Sequence, residues 1–416
     1  MKKTYIDTAM ERIAPDLILK GGNVVDVFSG RVIKADVIIK DGIICGVGSY
    51  SGENEQDVSG KYIMPGFIDS HVHIESSMTQ PSEYAKAVMP HGITTVIADP
   101  HEITNVCGED GLEFMLKSAE NIPLDVNLML PSCVPATPFE HTGANLDAKT
   151  TQKLAPKFFG IGEMMNYPGI VSGDDETLGK LCLDIIDGHA PLLSGHELDA
   201  YASAGIKTDH ECSVIEEMTE KISKGMYILL REGTLSLDVA KLIKGVTPYT
   251  LRRCAFCTDD RFVGEIIRDG SIDHCIRKAV SLGLNNIDAI IMATLNACEM
   301  YGMKNKGAIA PSYVADIVVA DDLNLSSISQ VYKNGKLVCE NGKALFECET
   351  VDNSKVTNTV HLPKISADFF KTDVKDKFDA IELIPESIIT KKVTVSYSDS
   401  LSKVCVIERH HNLGTK

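Results

Sequence analysis

The chain of 416 residues contains no unbroken apolar run of the roughly twenty residues that a membrane-spanning helix requires. Its N-terminus, MKKTYIDTAMERIAPDLILKGG, breaks with acidic and polar residues where a signal peptide would carry its apolar segment. Both features predict a cytoplasmic protein with no membrane partner. Positive charge is also scarce: 41 Lys and Arg stand against 58 Asp and Glu, a net charge of -17. Nucleic acids and anionic membranes are held by clustered cations, so the balance predicts neither as a partner and favours a small neutral or weakly polar ligand. There is no compact cysteine framework. The twelve cysteines scatter from Cys45 to Cys405, the pattern of reduced thiols used as small buried hydrophobes.

What is present is an ordinary globular composition, 44% apolar and 24% charged, over a length that allows two or three domains. Residues 16–60 alternate Val- and Ile-rich runs with Gly-Gly, Ser-Gly and Asp-Gly turns, the signature of a small antiparallel sheet. The same texture returns at 307–347, with Asn-Gly turns at Asn334 and Asn341. The two segments are expected to join into one β module, a composite β-sandwich, interrupted by what lies between them. Between them, GITTVIADP, LDVNLMLP, FFGIGEMM, MYILLREG and CAFCTDD read as strands, while GEDGLEFMLKSAE and DETLGKLCLDIID read as helices. Strand–helix alternation over that length predicts an α/β fold, a TIM-like (β/α)8 barrel. An open doubly wound sheet is the alternative, but no Gly-rich nucleotide fingerprint follows the first strand. The expected division is 1–62 and 307–350 for the composite β domain, 63–306 for the barrel, and 351–416 for the start of an incomplete C-terminal domain, with strand-like runs KVTVSY and KVCVIE.

In such a barrel the active site lies where the strands end, so polar residues just past apolar runs are the ones to collect. They are His71 and His73; Asp99, His101 and Glu102; Glu163; His189; Asp209, His210 and Glu211; and Asp259 and Asp260. His71 and His73 point to the same side of a strand and can share one ligand. Imidazoles and carboxylates together suit a divalent cation, and a carboxylate placed between two cations can bridge them. Asp209 and Glu211 read equally well as solvated loop charges, and Asp260 as a partner of Arg261. His91, His141, His196 and His274 read as surface or hydrogen-bonded histidines. Two shorter matches fail. The H-x-E of His73 to Glu75 with the C-x-x-C of Cys254 to Cys257 lacks the proline of the cytidine-type zinc deaminases, since Arg253 occupies that place, and the two halves lie too far apart. Read as a zinc or redox pair, the same cysteines have no second C-x-x-C.

The stretches PGFIDSHVHIESSM, GITTVIADPHEITNV, GEMMNYPG, DGHAPLLSGHELDAYASAGIKTDHE, LLREGT and FCTDDR, in that order, resemble the motifs of the bacterial and archaeal adenine deaminases of the amidohydrolase superfamily. The resemblance runs from about residue 16 to the end of the chain. It implies hydrolysis of adenine to hypoxanthine and ammonia by metal-activated hydroxide at C6, in purine salvage or adenine catabolism. It implies a binuclear centre of manganese, with iron or zinc as alternatives, and a homo-oligomer, a dimer first. His71, His73 and Asp259 would hold one metal. Glu163 would bridge to a second held by His189 and His210. Asp259 would also shuttle the proton, with Glu163 and Glu102 as further candidate acids; Asp99, His101 and Glu102 would form an accessory metal site or shape the pocket. Arg231 and Glu232 would reach the purine edge, support the metal centre, or form an ordinary ion pair. Relatives continue past an ERHH motif where this sequence stops soon after His411, so a truncated, non-catalytic relative is one alternative. An amidohydrolase acting on another nucleobase or on a cyclic amide is another. Cyclic-amide enzymes carry a modified lysine where this chain has Glu163, which counts against that reading.

Overall fold

The computed structural model describes residues 1–371, 376–385, 389–398 and 400–413. The sheet module opens with β1 (Leu17–Asp26), β2 (Arg31–Lys40), β3 (Ile43–Gly48), β4 (Glu55–Asp57) and β5 (Tyr62–Pro65). The barrel strands follow: β6 (Phe67–Val72), β7 (Ile93–Ala98), β8 (Asp125–Leu130), β9 (Gly160–Met164), β10 (Ile186–Gly188), β11 (Thr208–Asp209), β12 (Tyr227–Arg231) and β13 (Cys254–Cys257). The chain then returns to the sheet module with β14 (Ile317–Ala320), β15 (Ile328–Lys333), β16 (Lys336–Glu340) and β17 (Lys343–Ala344), and ends in a hairpin of β18 (Lys377–Leu383) and β19 (Thr390–Ser396).

Strands β6, β7, β9 and β13 are buried along their whole length, as parallel strands covered on both faces must be. Neighbours pair in parallel from β6 through β10 and from β11 through β13. The ring closes between β6 and β13, where the Asp259 amide donates to the His71 carbonyl (3.0 Å) and the His73 amide to the Asp259 carbonyl (3.1 Å). The fold is therefore the TIM-like barrel with a sheet domain that the sequence pattern predicts. Cys254 and Cys257 are buried within β13.

The sheet module is one continuous nine-stranded sheet in the order β17-β16-β15-β14-β5-β1-β2-β3, with β4 on β1. Its two faces come from a bend in β1, whose register to β2 shifts between Leu19 and Gly22. Gly21 holds a left-handed φ of +71°, and a Cβ on Gly22 would lie 2.5 Å from Ile63, so glycine is needed at the bend. The far edge then returns: Ile43 of β3 bridges Val314, just ahead of β14. The sandwich expected from the sequence is thus a single sheet folded on itself.

Two local expectations differ. DETLGKLCLDIID is helical only at Asp175–Gly179; the chain has to straighten to insert Ile186–Gly188 into the barrel. KVTVSY forms most of β19, but KVCVIE pairs with no strand among the described residues, and Val404 and Val406 are exposed.

Sheet and barrel meet at a cluster of four charges at the N-terminal end of β8. Lys306 Nζ donates to Asp316 (2.7 Å) and Lys333 Nζ to Asp316 and Asp125 (both 2.8 Å), while Lys306 also pairs closely with Asp125. Burial raises the Asp316 pKa, but the two ammonium groups outweigh it and hold the carboxyl below the ordinary range. Removing the carboxylate in Asp316→Ala leaves two largely buried lysines sharing the single carboxylate of Asp125, so we expect a loss of about 3 kcal/mol in urea unfolding of the chelator-treated protein. Because the folded pKa is depressed, this stabilisation is full above the ordinary aspartate range near about 4 and lost as the pH falls below it. The gap between wild type and variant should close in acid; a gap constant down to pH 3 would contradict the assignment.

Candidate metal centre

His71 lies in β6 and His73 just beyond it, and their Nε2 atoms face each other at 3.1 Å. Two neutral imidazoles cannot both present lone pairs at that distance without a proton or a cation between them. Asp259, at the end of β13, sits at a left-handed φ of +56°, an unusual conformation for a non-glycine residue, imposed here where the ring closes. Its Oδ1 lies 3.1 Å from His73 Nε2 and 3.6 Å from His71 Nε2.

Glu163, next to last in β9, faces two sets of imidazoles. Its Oε1 lies 3.5 Å from His73 Nε2 and 3.3 Å from His101 Nδ1. Its Oε2 lies 2.6 Å from His189 Nδ1 and 3.1 Å from His210 Nε2. The rings of His71 and His210 stack at 4.1 Å. His71, His73, Glu163, His210 and Asp259 are all buried. The groupings in which every ligand atom lies within 4.8 Å of the others include His71–His73–Glu163, His71–His210–Asp259 and Glu163–His189–His210. Buried Nδ1 atoms of His71, His101 and His210 have no hydrogen-bond partner. This donor set, borderline-soft nitrogen with hard carboxylate oxygen, fits a divalent cation.

The electrostatics point the same way. Burial opposes charge on His189 and His210, yet Glu163 and Glu211 outweigh it and raise both imidazoles above their usual range. The same histidines hold Glu163 well below the carboxylate range against its own burial. The carboxylates therefore draw positive charge to the cluster, as protons or as a metal.

The second group collected from the sequence lies beside the first. Asp99 acts through its surroundings: its Oδ2 accepts the Glu163 amide (2.9 Å) and its backbone carbonyl faces His73 Nδ1 (2.9 Å). A Cβ on Gly162 would lie 2.2 Å from Asp99 Oδ2, so only glycine permits this approach. His101 and Glu102 form a further possible grouping with His73, with Glu102 Oε2 3.5 Å from His73 Nδ1 and Oε1 3.4 Å from His101 Nε2.

Arg231 and Glu232 part company because successive strand residues face opposite ways. Arg231 is buried among Glu211, Asp238 and Asp259: Nε and Nη2 reach Asp238 at 3.1 and 3.0 Å, Nη1 reaches Asp259 at 3.1 Å, and Glu211 takes the remaining donors. All five N–H groups are committed, which leaves none for a purine and makes Arg231 a support of Asp259. The Glu232 carboxylate pairs with Lys278 and faces away from the cluster.

Three further readings change. Asp260 accepts from the Ser76 hydroxyl, whereas Arg261 donates to the carbonyls of Gly270 and Glu232. Glu211 is buried, with Oε1 3.3 Å from His210 Nε2. Asp209 is buried too, and ties two loops together: its Oδ1 accepts the Ala190 amide (2.9 Å) and its Oδ2 the Glu211 amide (3.1 Å). Lys221, fully buried, donates to Asp209 (2.9 Å), Glu217 (2.8 Å) and the Ala190 carbonyl (2.7 Å). Burial raises the Asp209 carboxyl, but Lys221 and His210 bring it down to about 2. Asp209 and Lys221 thus hold His189 and His210 in register. Lys221 carried no signal in the sequence, being one charge among several on an amphipathic helix. Beside the cluster, Ser76, Met78, Thr234, Leu235, Asp260 and Phe262 line a slot of about 230 Å³.

The profile of the Amidohydrolase family matches residues 62–338. An adenine deaminase of Clostridium acetobutylicum is 46% identical, and adenine deaminase 2 of Desulfotalea psychrophila 44% identical, each over 99% of this chain and 75% of the relative. Among solved structures, the β-aspartyl dipeptidase of Fervidobacterium islandicum AW-1 aligns with TM-score 0.58 and 20% identity, over 81% of this chain and 99% of that one. A D-aminoacylase aligns with TM-score 0.56 and 15% identity, over 79% and 98%. At those identities the likeness is one of fold.

Replacing Lys221 by Met leaves Asp209 and Glu217 without their counter-charge. We expect a loss of about 3–5 kcal/mol in denaturant unfolding, together with lower metal content after dialysis. Unchanged stability would contradict the role given to this pair.

Proposed function

The chain belongs to the amidohydrolase family, and within it we infer that the protein is an adenine deaminase, a metal-dependent hydrolase that converts adenine and water to hypoxanthine and ammonia. The observation that carries this reading is identity of 44–46% to adenine deaminases across 99% of the chain. The cluster at the barrel mouth supplies the chemistry that such a reaction needs.

In this reading His71, His73 and Asp259 would hold one divalent cation, and His189 and His210 a second, with Glu163 as a ligand placed between the two sets. Manganese is the first candidate, and iron or zinc suit the same donors. When bound, the cations supply Lewis acidity, lowering the pKa of water towards neutrality so that it can attack C6 of the purine. The oxygen of water becomes the oxygen of hypoxanthine, the C6–N6 bond breaks, and the two protons of water end on the ring nitrogen N1 and on the departing ammonia. Asp259 stands beside the attacking position with Oδ2 fixed by Arg231, which orients Oδ1 to take the first proton. The two oxygens of Glu163 face four imidazoles, those of His73, His101, His189 and His210, so it would serve as a ligand shared between the two sets. Glu102, beside His73 and His101 and about a third exposed at its side chain, is the carboxylate placed to pass a proton to the ring or the amine. The slot edged by Met78, Leu235 and Phe262 offers apolar faces for a flat heterocycle next to Asp260. A cytoplasmic setting, a role in purine salvage or adenine catabolism, and assembly as a homodimer go with the same reading.

The test is ammonia release and the ultraviolet change on incubating the manganese-reconstituted protein with adenine, with metal counted in the same sample. Turnover that stops on chelation is expected; bound metal with untouched adenine would overturn the reading. Glu163→Gln should lower metal content and turnover together, and turnover at the wild-type level in that variant would remove the bridging assignment.

A further inference from the structure

Behind His71 lies a carboxylate that the motifs do not single out. Asp187, the middle residue of β10, is 1% exposed, with no lysine, arginine or backbone amide bonded to it among the described residues. Its partners are two hydroxyls. Thr208 Oγ1 donates to Oδ1 (2.8 Å), and Tyr301 Oη lies 3.0 and 3.1 Å from its two oxygens and 2.7 Å from the Ser70 carbonyl. Two hydroxyls do not balance a buried negative charge. The ring nitrogen facing it is that of His71, whose Nδ1 lies 3.7 Å from Asp187 Oδ2 and has no hydrogen-bond partner among the described residues. Nδ1 points at Asp187 while Nε2 points at His73 and Asp259. Tyr301 follows the helix Leu295–Met300 and packs with Ile97 and Met129 of the barrel strands β7 and β8. It thereby ties the segment after the barrel to the strand that carries His71.

We propose that Asp187 is the positioning residue for His71: it is the acceptor towards which Nδ1–H donates, favours the tautomer that leaves the Nε2 lone pair towards the cation, and is itself held by Tyr301 and Thr208. A histidine that ligates through one nitrogen donates from the other to an acceptor that sets its orientation and basicity. The inference rests on the reading of His71 as a metal ligand. The sequence does offer a trace of it, since Asp187 stands two residues before His189 on the same strand edge.

The test is equilibrium titration of the chelator-stripped protein with manganese, in wild type, Asp187→Asn and Tyr301→Phe, with the melting temperature of each metal-free protein measured alongside. Wild type should bind two equivalents. Asp187→Asn should weaken one of them by about 10–100-fold, and Tyr301→Phe should weaken the same one by less while its metal-free melting temperature stays near that of wild type. Asp187→Asn that melts earlier yet binds both ions as wild type does would show a structural role only and overturn the proposal. If Asp187→Asn fails to fold, unchanged affinity in both Tyr301→Phe and Thr208→Val overturns it equally. Wild type that takes up no metal would instead overturn the assignment of His71, an outcome visible in the wild-type arm alone.

Discussion

A set of buried imidazoles and carboxylates that cannot satisfy one another governs this structure. Glu163 and Asp259 are dry carboxylates, and His71, His73 and His210 are dry rings whose nitrogens face them and each other. Such groups are expensive to bury unless something compensates their charge. Protons compensate in part, since the carboxylates raise the His73 and His210 imidazoles against their burial, and a divalent cation compensates more completely because it can meet several of these donors at once. Much of the local architecture keeps the groups in place against that cost: Arg231 behind Asp259, Asp209 with Lys221 behind His189 and His210, and Asp99 behind Glu163 and His73.

The barrel and its site are mechanically coupled. The backbone bonds that close the ring, between His71, His73 and Asp259, involve the residues whose side chains face the cluster. The left-handed backbone of Asp259 arises at that closure. At the other end of the strands, the Lys306–Lys333–Asp125–Asp316 junction fixes the bent sheet to the barrel. The sheet module therefore completes the barrel at the end remote from the chemistry.

The sequence displays the parts of this arrangement that follow from period and position. Apolar runs ending in a polar residue identify β6, β7, β9, β12 and β13, and most of the polar residues at those ends meet in space, Glu232 being an exception. Contacts made across the barrel leave no local pattern. Nothing in the neighbourhood of Lys221 distinguishes it from a solvated helix lysine, and Asp187 owes its importance to a ring on a strand elsewhere in the barrel. Adjacency in sequence groups Glu232 with Arg231, and strand alternation separates them in space. KVCVIE has the composition of a strand, but composition cannot supply a neighbour to pair with.

The central claim is that the cluster is a charge site completed by a divalent cation. Calorimetric titration of the metal-free protein with manganese, repeated in buffers of different ionisation enthalpy, tests it most directly because it counts protons released for each ion bound. The account predicts net proton release and an affinity that rises with pH, since the metal displaces protons that the carboxylates hold on the histidines. Manganese that fails to bind, or that binds with no proton exchange and no dependence on pH, would contradict it.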